Sequence, residues 1–276
     1  MPKRLHPRSP VAQRTAGITL DHAAPLYDWL APLMTLGWEH RLHKQVVARL
    51  ALDRPAIGMV GKTNQSPVGT EPDPPEIHPS QRFSSMEGRP PCRPVESGNR
   101  IDVLDVGCGT GTLTRQIYDA LPADAPRRVC GVDAAEAMIA VANKKAGARP
   151  GLEFAAALAE DLPYPDASFD RVLSTFFFHH LNYGLKVKAL AEIARVLRPG
   201  GQAAILDVDV PYSLFGKICA WSGYWLFHQA EIAENIRGKL RAALDESPWR
   251  GRWQIASRHS GYLSLFTMEK PQEKQP

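Results

Sequence analysis

Three glycines at alternate positions constrain this chain more than any other feature. After a run of strand-forming residues, Ile101–Val106, it reads Asp105-Val-Gly107-Cys108-Gly109-Thr110-Gly111-Thr112 and then turns helical. Alternate glycines between a strand and a helix let a ligand lie against bare backbone. The N–H groups of the loop and of the helix N-terminus then offer donors to an anionic or carboxylate group. Two ligand classes compete. The dinucleotide fingerprint G-x-G-x-x-G uses Gly107 and Gly109 but needs glycine where Thr112 stands. The pattern D-x-G-x-G-x-G is met in full by Asp105, Gly107, Gly109 and Gly111. A turn with a purely structural purpose rarely needs three such glycines.

The loop sits at the start of a regular alternation. Ile101–Val106, Arg128–Asp133, Leu152–Ala156, Arg171–Phe176 and Ala203–Val208 read as buried strands, with helices over Leu113–Leu121, Ala135–Ala146 and Leu185–Leu197 between them. Such alternation implies right-handed βαβ units and a parallel sheet covered on both faces. Trp253–Ser257 and Tyr262–Met268, separated by a short turn, read as an antiparallel pair at the sheet edge. The fold class expected is α/β: a Rossmann-like, doubly wound, mostly parallel seven-stranded sheet with an antiparallel edge strand, plus an N-terminal helical lid.

Four segments follow. Residues 1–17 form a basic tail, expected to be disordered, and 18–52 a helical lid in which Leu26, Tyr27, Leu30, Leu33 and Met34, then Leu42, Val46, Val47 and Leu50, recur at helical spacing. Residues 53–100 hold nine prolines and almost no apolar periodicity, so a disordered linker or insertion is expected. The alternating domain occupies 101–270. Net charge is +4, and Lys3, Arg4, Arg8 and Arg14 of the acid-free tail account for it. The remainder is neutral, which gives no support for a nucleic-acid partner. No apolar run reaches the length of a transmembrane helix. The N-terminus lacks the apolar core of a secretory signal, and Pro2, Pro7 and Pro10 would break the amphipathic helix of a transit peptide. A cytoplasmic protein is expected, with mitochondrial targeting the alternative.

The glycine motif resembles motif I of the class I methyltransferases that use S-adenosylmethionine, of the type 11 kind. Val-Cys-Gly-Val-Asp133-Ala134-Ala-Glu-Ala-Met138 resembles the family's second-strand motif, with Ala135 where serine is usual. Leu158-Ala159-Glu160-Asp161-Leu162-Pro-Tyr-Pro-Asp-Ala-Ser-Phe-Asp170 resembles its third block, and Leu190-Ala-Glu-Ile-Ala-Arg-Val-Leu-Arg-Pro-Gly-Gly201 the block before the fifth strand. The likeness runs in order over Ile101–Met268. Pro25-Leu-Tyr-Asp-Trp29, Gly37–Arg41 and Ala233–Leu240 are also similar to the ubiquinone/menaquinone-biosynthesis C-methyltransferase group, whereas the 53–100 insertion departs from it.

The resemblance implies S-adenosylmethionine as cofactor, with contacts over Asp105, Gly107, Cys108, Gly109, Thr110, Gly111, Asp133, Ala134, Met138, Leu158, Ala159, Glu160 and Thr175. Gly107 and Gly109 would meet the methionine part, with Asp105 shaping the loop. A carboxylate at Asp133 suits both hydroxyls of a ribose, with a helix N-cap as the lesser alternative. Met138 would pack on adenine or serve the core. Leu158 cannot bond the exocyclic amine, so adenine reading would fall to the backbone of Ala159 and to Asp161.

A sulfonium methyl is already electrophilic, so the protein has mainly to align the nucleophile and remove its proton. His179 and His180, just past the fourth strand, are the candidate bases, with capping or packing as the alternative. Neither lies near carboxylates in a metal-binding spacing, and no metal is expected. Tyr27 and Phe176 could face the sulfonium. Trp221 and Trp225, in the aromatic window Leu214–Phe227, would form a substrate lid. Such a lid favours a hydrophobic acceptor: a quinol, a lipid or an aromatic ring. The same window reads alternatively as an interfacial helix in peripheral membrane contact, or as core. A non-catalytic cofactor-binding protein and an NAD-dependent oxidoreductase are the rival functions.

Overall fold

Because the strands after Arg100 are apolar on both sides of the pleat, both sheet faces must be covered. The computed structural model describes residues 11, 14, 15, 39–49, 100–122, 127–227 and 229–272. Its strands are β1 (Ile101–Val106), β2 (Arg127–Asp133), β3 (Leu152–Ala156), β4 (Phe169–Thr175), β5 (Leu197–Val208), β6 (Trp253–His259) and β7 (Leu263–Glu269). They form one sheet in the order β3-β2-β1-β4-β5-β7-β6. The first five pair in parallel, and β7 runs antiparallel to both β5 and β6. This is the Rossmann-like, mixed seven-stranded sheet expected. One detail differs: the hairpin folds back so that the reversed strand β7 sits one place in from the edge, with β6 outermost.

The helices are α1 (Glu39–Arg49), α2 (Thr112–Ala120), α3 (Glu136–Ala146), α4 (Tyr183–Val196), α5 (Leu214–Phe227), α6 (Ala230–Ile236) and α7 (Lys239–Glu246). Alternate strand residues feed two cores. Val103, Leu173 and Leu206 pack with Leu42 and Val46 of α1, Ile117 of α2 and Ala220 of α5. Leu104, Val172 and Ile205 pack on the other face with Leu190 and Ile193 of α4 and Leu240 and Leu244 of α7. Asn182 starts α4 by accepting from Leu185 N at 3.1 Å, the usual role of an N-cap side chain. The short helices α6 and α7 have no counterpart in the sequence reading. Charged residues interrupt their apolar spacing, and Gly238, at φ 85°, separates them.

At the N-terminal ends of the strands lies a buried ionic cluster. Asp102 of β1 is fully buried and meets Arg100, Arg128 and Arg198 at 2.9, 3.0 and 2.7 Å. Arg198 also meets Asp170 at 2.7 Å, and Asp170 accepts from Asp102 N at 2.8 Å. These contacts tie β1, β2, β4 and β5 at the end of the sheet away from the glycine loop. Of the 18–52 lid only α1 lies within the described residues. Tyr27, and 53–100 apart from Arg100, lie outside them.

Candidate functional site

The glycine loop leaves β1 through two backbone bonds, in which Gly107 N and Cys108 N both donate to Val132 O of β2 at 2.8 and 3.0 Å. Gly107, Gly109 and Gly111 all have positive φ, at 75, 53 and 74°, a region costly for residues with a Cβ. Space is as restrictive as conformation. A Cβ on Gly107 would stand 2.2 Å from the Phe177 ring, and one on Gly111 would stand 2.6 Å from Phe154. Asp133 closes the turn: its Oδ2 accepts from Gly109 N at 3.0 Å and its Oδ1 from Ala135 N at 2.9 Å, at the start of α3. The carboxylate therefore faces the loop while also serving the helix end.

Beneath the loop Asp105 is buried and accepts from Thr114 Oγ1 at 2.6 Å. Burial raises its pKa to about 7, Thr114 opposes the shift, and the negative charge of Asp133 adds to it. Burial likewise pushes the Cys108 thiol well above its ordinary value, so it stays protonated. Thr110, Met138, Leu158 and Ala159 are also buried, Met138 in a small cluster with Ala135.

The cleft beside the loop is lined by Val106, Gly107, Asp133, Ala134, Ala159, Glu160 and neighbours. Bare backbone was expected to leave it open. Instead Thr15 and Phe177 also line it, and about 20 Å³ of room remains, enough for one water. Phe176 explains the placement of Phe177. Its φ of 52° turns the chain back at the end of β4 and lays the next ring over Gly107. Thr15 comes from the basic tail, three residues of which are described and held: Val11 N donates to Glu136 at 3.4 Å, Arg14 reaches Asp161 at 3.1 Å, and Thr15 donates to Glu160. A nucleoside larger than the cleft requires both Thr15 and Phe177 to move aside. A larger recess of about 360 Å³, at the other end of β5 and β7, contains none of the motif residues.

The third and fourth sequence blocks meet here. Glu192 of α4 accepts from Leu162 N at 2.8 Å, while Arg195 donates to Leu162 O and Tyr164 O at 3.0 and 2.7 Å. The loop that carries Leu158–Asp161 is thus clamped to the helix preceding β5.

His179 and His180 lie in a short 3-10 turn, Phe178–His180, beyond β4. They do not line the nucleoside cleft; they face β5 and α6. Asp207, near the C-terminal end of β5, was missed by sequence reasoning and organises the turn. Its Oδ2 accepts from Phe177 N and Phe178 N at 2.9 and 2.7 Å, and its Oδ1 meets His179 Nδ1 at 2.8 Å. Asn235 Nδ2 reaches the same oxygen at 3.3 Å. Burial alone would raise the Asp207 pKa, but the His179 ring and the backbone donors outweigh it and hold the carboxyl below its ordinary value. A carboxylate can only accept, so His179 donates to Asp207 from Nδ1. The His180 ring bonds Gln229 at 3.2 Å. Desolvation and then the neighbouring His179 lower its pKa to about 3, so it is neutral near pH 7 and a feeble base. The signal for Asp207 was available: in parallel sheets, functional side chains gather at strand C-termini.

Thr175 ends β4, paired with Leu206, and Phe176 follows it. Phe176, Trp221 and Tyr224 pack half-buried against one core cluster, with the Trp221 and Tyr224 rings edge-to-face at 5.5 Å. Trp225, expected in the lid beside Trp221, is 67% exposed and faces outward. Among the described residues no group of three His, Cys, Asp or Glu is placed to hold a metal, and no helix is long and apolar enough to cross a membrane.

Residues 103–201 match the family model described as a methyltransferase domain. A demethylmenaquinone methyltransferase of Symbiobacterium thermophilum is 32% identical over 174 residues, which cover 58% of this chain and 68% of that protein. The ubiquinone/menaquinone biosynthesis C-methyltransferase UbiE of Geobacter sulfurreducens is 37% identical over 128 residues, 45% of this chain and 48% of the relative, so the chain spans about half of that protein's length. Among solved structures, a methyltransferase from Methanosarcina mazei overlays with a TM-score of 0.48 at 18% identity, covering 64% of this chain and 95% of the other. The match to two thirds of the Symbiobacterium protein, together with the methyltransferase-domain model over residues 103–201, makes this chain a member of the class I S-adenosylmethionine-dependent methyltransferases, similar to the ubiquinone/menaquinone-biosynthesis group.

Proposed function

We propose that this enzyme methylates a small hydrophobic acceptor of the quinol, lipid or aromatic-ring class by direct displacement, with His179 as the general base. The observation that carries the reading is the buried His179–Asp207 pair at the C-terminal ends of β4 and β5. The relatives support a ring acceptor by name, as demethylmenaquinone and ubiquinone/menaquinone methyltransferases. The half-buried aromatics Phe176, Trp221 and Tyr224 support an apolar one.

With Thr15 and Phe177 swung out of the cleft, the chain would offer S-adenosylmethionine the bare backbone of Gly107 and Gly109 and the Asp133 carboxylate that faces the loop. Bound there, the cofactor supplies a methyl group on a positively charged sulfur. Gly107 and Gly109 would receive its amino-acid part, Asp133 the ribose, and Ala134, Met138, Leu158 and Ala159 the adenine. Asp207 positions His179 through Nδ1, so that Nε2 can accept the acceptor's proton as its new bond forms. His180, with its pKa near 3, is not assigned this role.

Purified enzyme with S-adenosylmethionine and a reduced demethylated quinone should yield S-adenosylhomocysteine and a product heavier by one methyl group. His179→Ala should lower kcat by roughly 10²–10⁴-fold, the range for loss of a general base. Cofactor affinity should not change. A variant that turns over at the wild-type rate refutes the assignment of His179, and failure of every quinol, lipid and phenol tried refutes the acceptor class.

A further inference from the structure

Helix α5 is amphipathic in the wrong sense for water. Its inward side is made of small residues: Gly216 and Ala220 are buried, and a Cβ on Gly216 would stand 2.0 Å from Gly261 O in the β6–β7 turn. The helix is fastened there. Tyr212 N donates to Gly261 O at 2.9 Å, Gly261 N to Tyr212 Oη at 3.0 Å, and Gly216 N to Ser213 Oγ at 3.0 Å. Its large apolar residues point the other way. Leu214, Phe215, Ile218 and Trp225 are 77, 58, 62 and 67% exposed, and Tyr212 just before them is 42% exposed. At about 100° per residue these four side chains fall in a single stripe roughly 100° wide. Contiguous apolar exposure of this kind marks an interaction surface.

The charges around the stripe select the partner. Lys217 lies beside it, Arg258 stacks on Tyr212 at 5.3 Å, and Arg237 sits over Trp221 at 5.7 Å. Between Val210 and Ala230 there is no Asp or Glu. A second copy docking here about a two-fold axis would set Lys217 and Arg258 against their own equivalents, with no carboxylate of α5 itself to pair them. An anionic bilayer surface satisfies both features. Acyl chains would take Leu214, Phe215 and Ile218. Trp225 and Tyr212 have the apolar body and polar tip that suit the headgroup level, and the cations would meet lipid phosphates.

We infer that the exposed face of α5 docks this enzyme on anionic phospholipid membranes. On the flank of the same stripe, between it and the buried side, Trp221 and Tyr224 pack against the core cluster that Phe176 joins. Docking would therefore set the aromatic side of the site next to the bilayer, where a hydrophobic acceptor dissolves. That consequence rests on the acceptor class proposed above; the docking itself does not.

The test is sedimentation of the full chain with phosphatidylcholine vesicles with and without phosphatidylglycerol, at two salt concentrations. The wild type should bind the phosphatidylglycerol vesicles more tightly and lose affinity in high salt. Ile218→Ser/Trp225→Ser should weaken partitioning at least about ten-fold, since two large apolar side chains leave the interface. Lys217→Gln and Arg258→Gln should each weaken binding about five-fold on the anionic vesicles alone. The proposal is overturned if the wild type binds neither vesicle, or if the double-serine variant binds as well as the wild type. It is also overturned if velocity sedimentation shows a dimer that the double-serine substitution dissolves. Both substituted residues are exposed, so an unchanged thermal melt verifies that the variant is folded. Turnover of a water-soluble quinol separates the two readings. If it fails in wild type while vesicle binding still depends on α5, the acceptor class falls and the docking surface stands.

Discussion

Replacing Asp105 with Asn isolates the electrostatics beneath the glycine loop. The carboxyl is fully buried, with a pKa raised from 3.8 to about 7. A folded-state pKa above the unfolded one means that the native state holds the extra proton between these values. The group's contribution to stability is therefore complete below pH 4 and is lost as pH rises through about 7. At roughly 1.4 kcal/mol per unit, a shift of about three units corresponds to about 4 kcal/mol of stability lost across that window. Asn cannot ionise, has the same shape and can still accept from Thr114 Oγ1. Urea unfolding at pH 5, 6, 7 and 8 should show the stability difference, Asp105→Asn minus wild type, rising with pH by about 1.4 kcal/mol per unit up to pH 7 and then levelling. The difference cancels other groups that titrate in the same range, such as His180. A difference that is flat with pH, or that falls, would refute the argument that burial controls this carboxyl.

Other substitutions probe separate parts of the chain. Asp207→Asn should lower kcat while leaving the cofactor Kd near wild type, because the backbone donors keep an acceptor oxygen but His179 loses its anionic partner; calorimetry and steady-state kinetics read the two separately. Gly107→Ala forces a side chain to φ 75° and into the Phe177 ring. From the backbone alone it should cost roughly 1–2 kcal/mol, seen in a thermal melt, together with weakened cofactor binding. Asp102→Ala leaves three arginines without their shared carboxylate and should destabilise the fold by about 3–5 kcal/mol in urea. Its turnover per folded molecule should stay at the wild-type level.

Most of the sheet was legible because its strands are short runs rich in apolar, β-branched residues and its crossover helices are periodic. The elements from β1 to β4 and the end of β5 lie within two residues of their expected bounds, but β5 begins at Leu197, six residues before the expected Ala203. α6 and α7 were not legible: both are short, and they take their stability from packing Ile232, Ile236, Leu240 and Leu244 onto the domain rather than from local pattern. The glycine loop and Asp133 could be read locally, since strand, loop and carboxylate adjoin through neighbouring strands. Asp207 could not be coupled to His179 from sequence, because 28 residues separate them and only the β4–β5 pairing brings them to 2.8 Å. Phe177 over Gly107 depends on the left-handed turn at Phe176, which no local pattern signals. Aromatic content alone suggested one role for Trp221 and Trp225. Which side of α5 is buried was set by the fit of Gly216 against Gly261.

The arginine–aspartate cluster at one end of the sheet has a consequence for how such a protein can diversify. Asp102, Asp170, Arg128 and Arg198 fasten four strands at the pole farthest from Gly107 and His179. The opposite rim is left to loops and short helices, whose replacement does not disturb those fastenings. Acceptor preference can therefore drift, through exchanges around α5 and α6, while the scaffold beneath keeps its margin against unfolding.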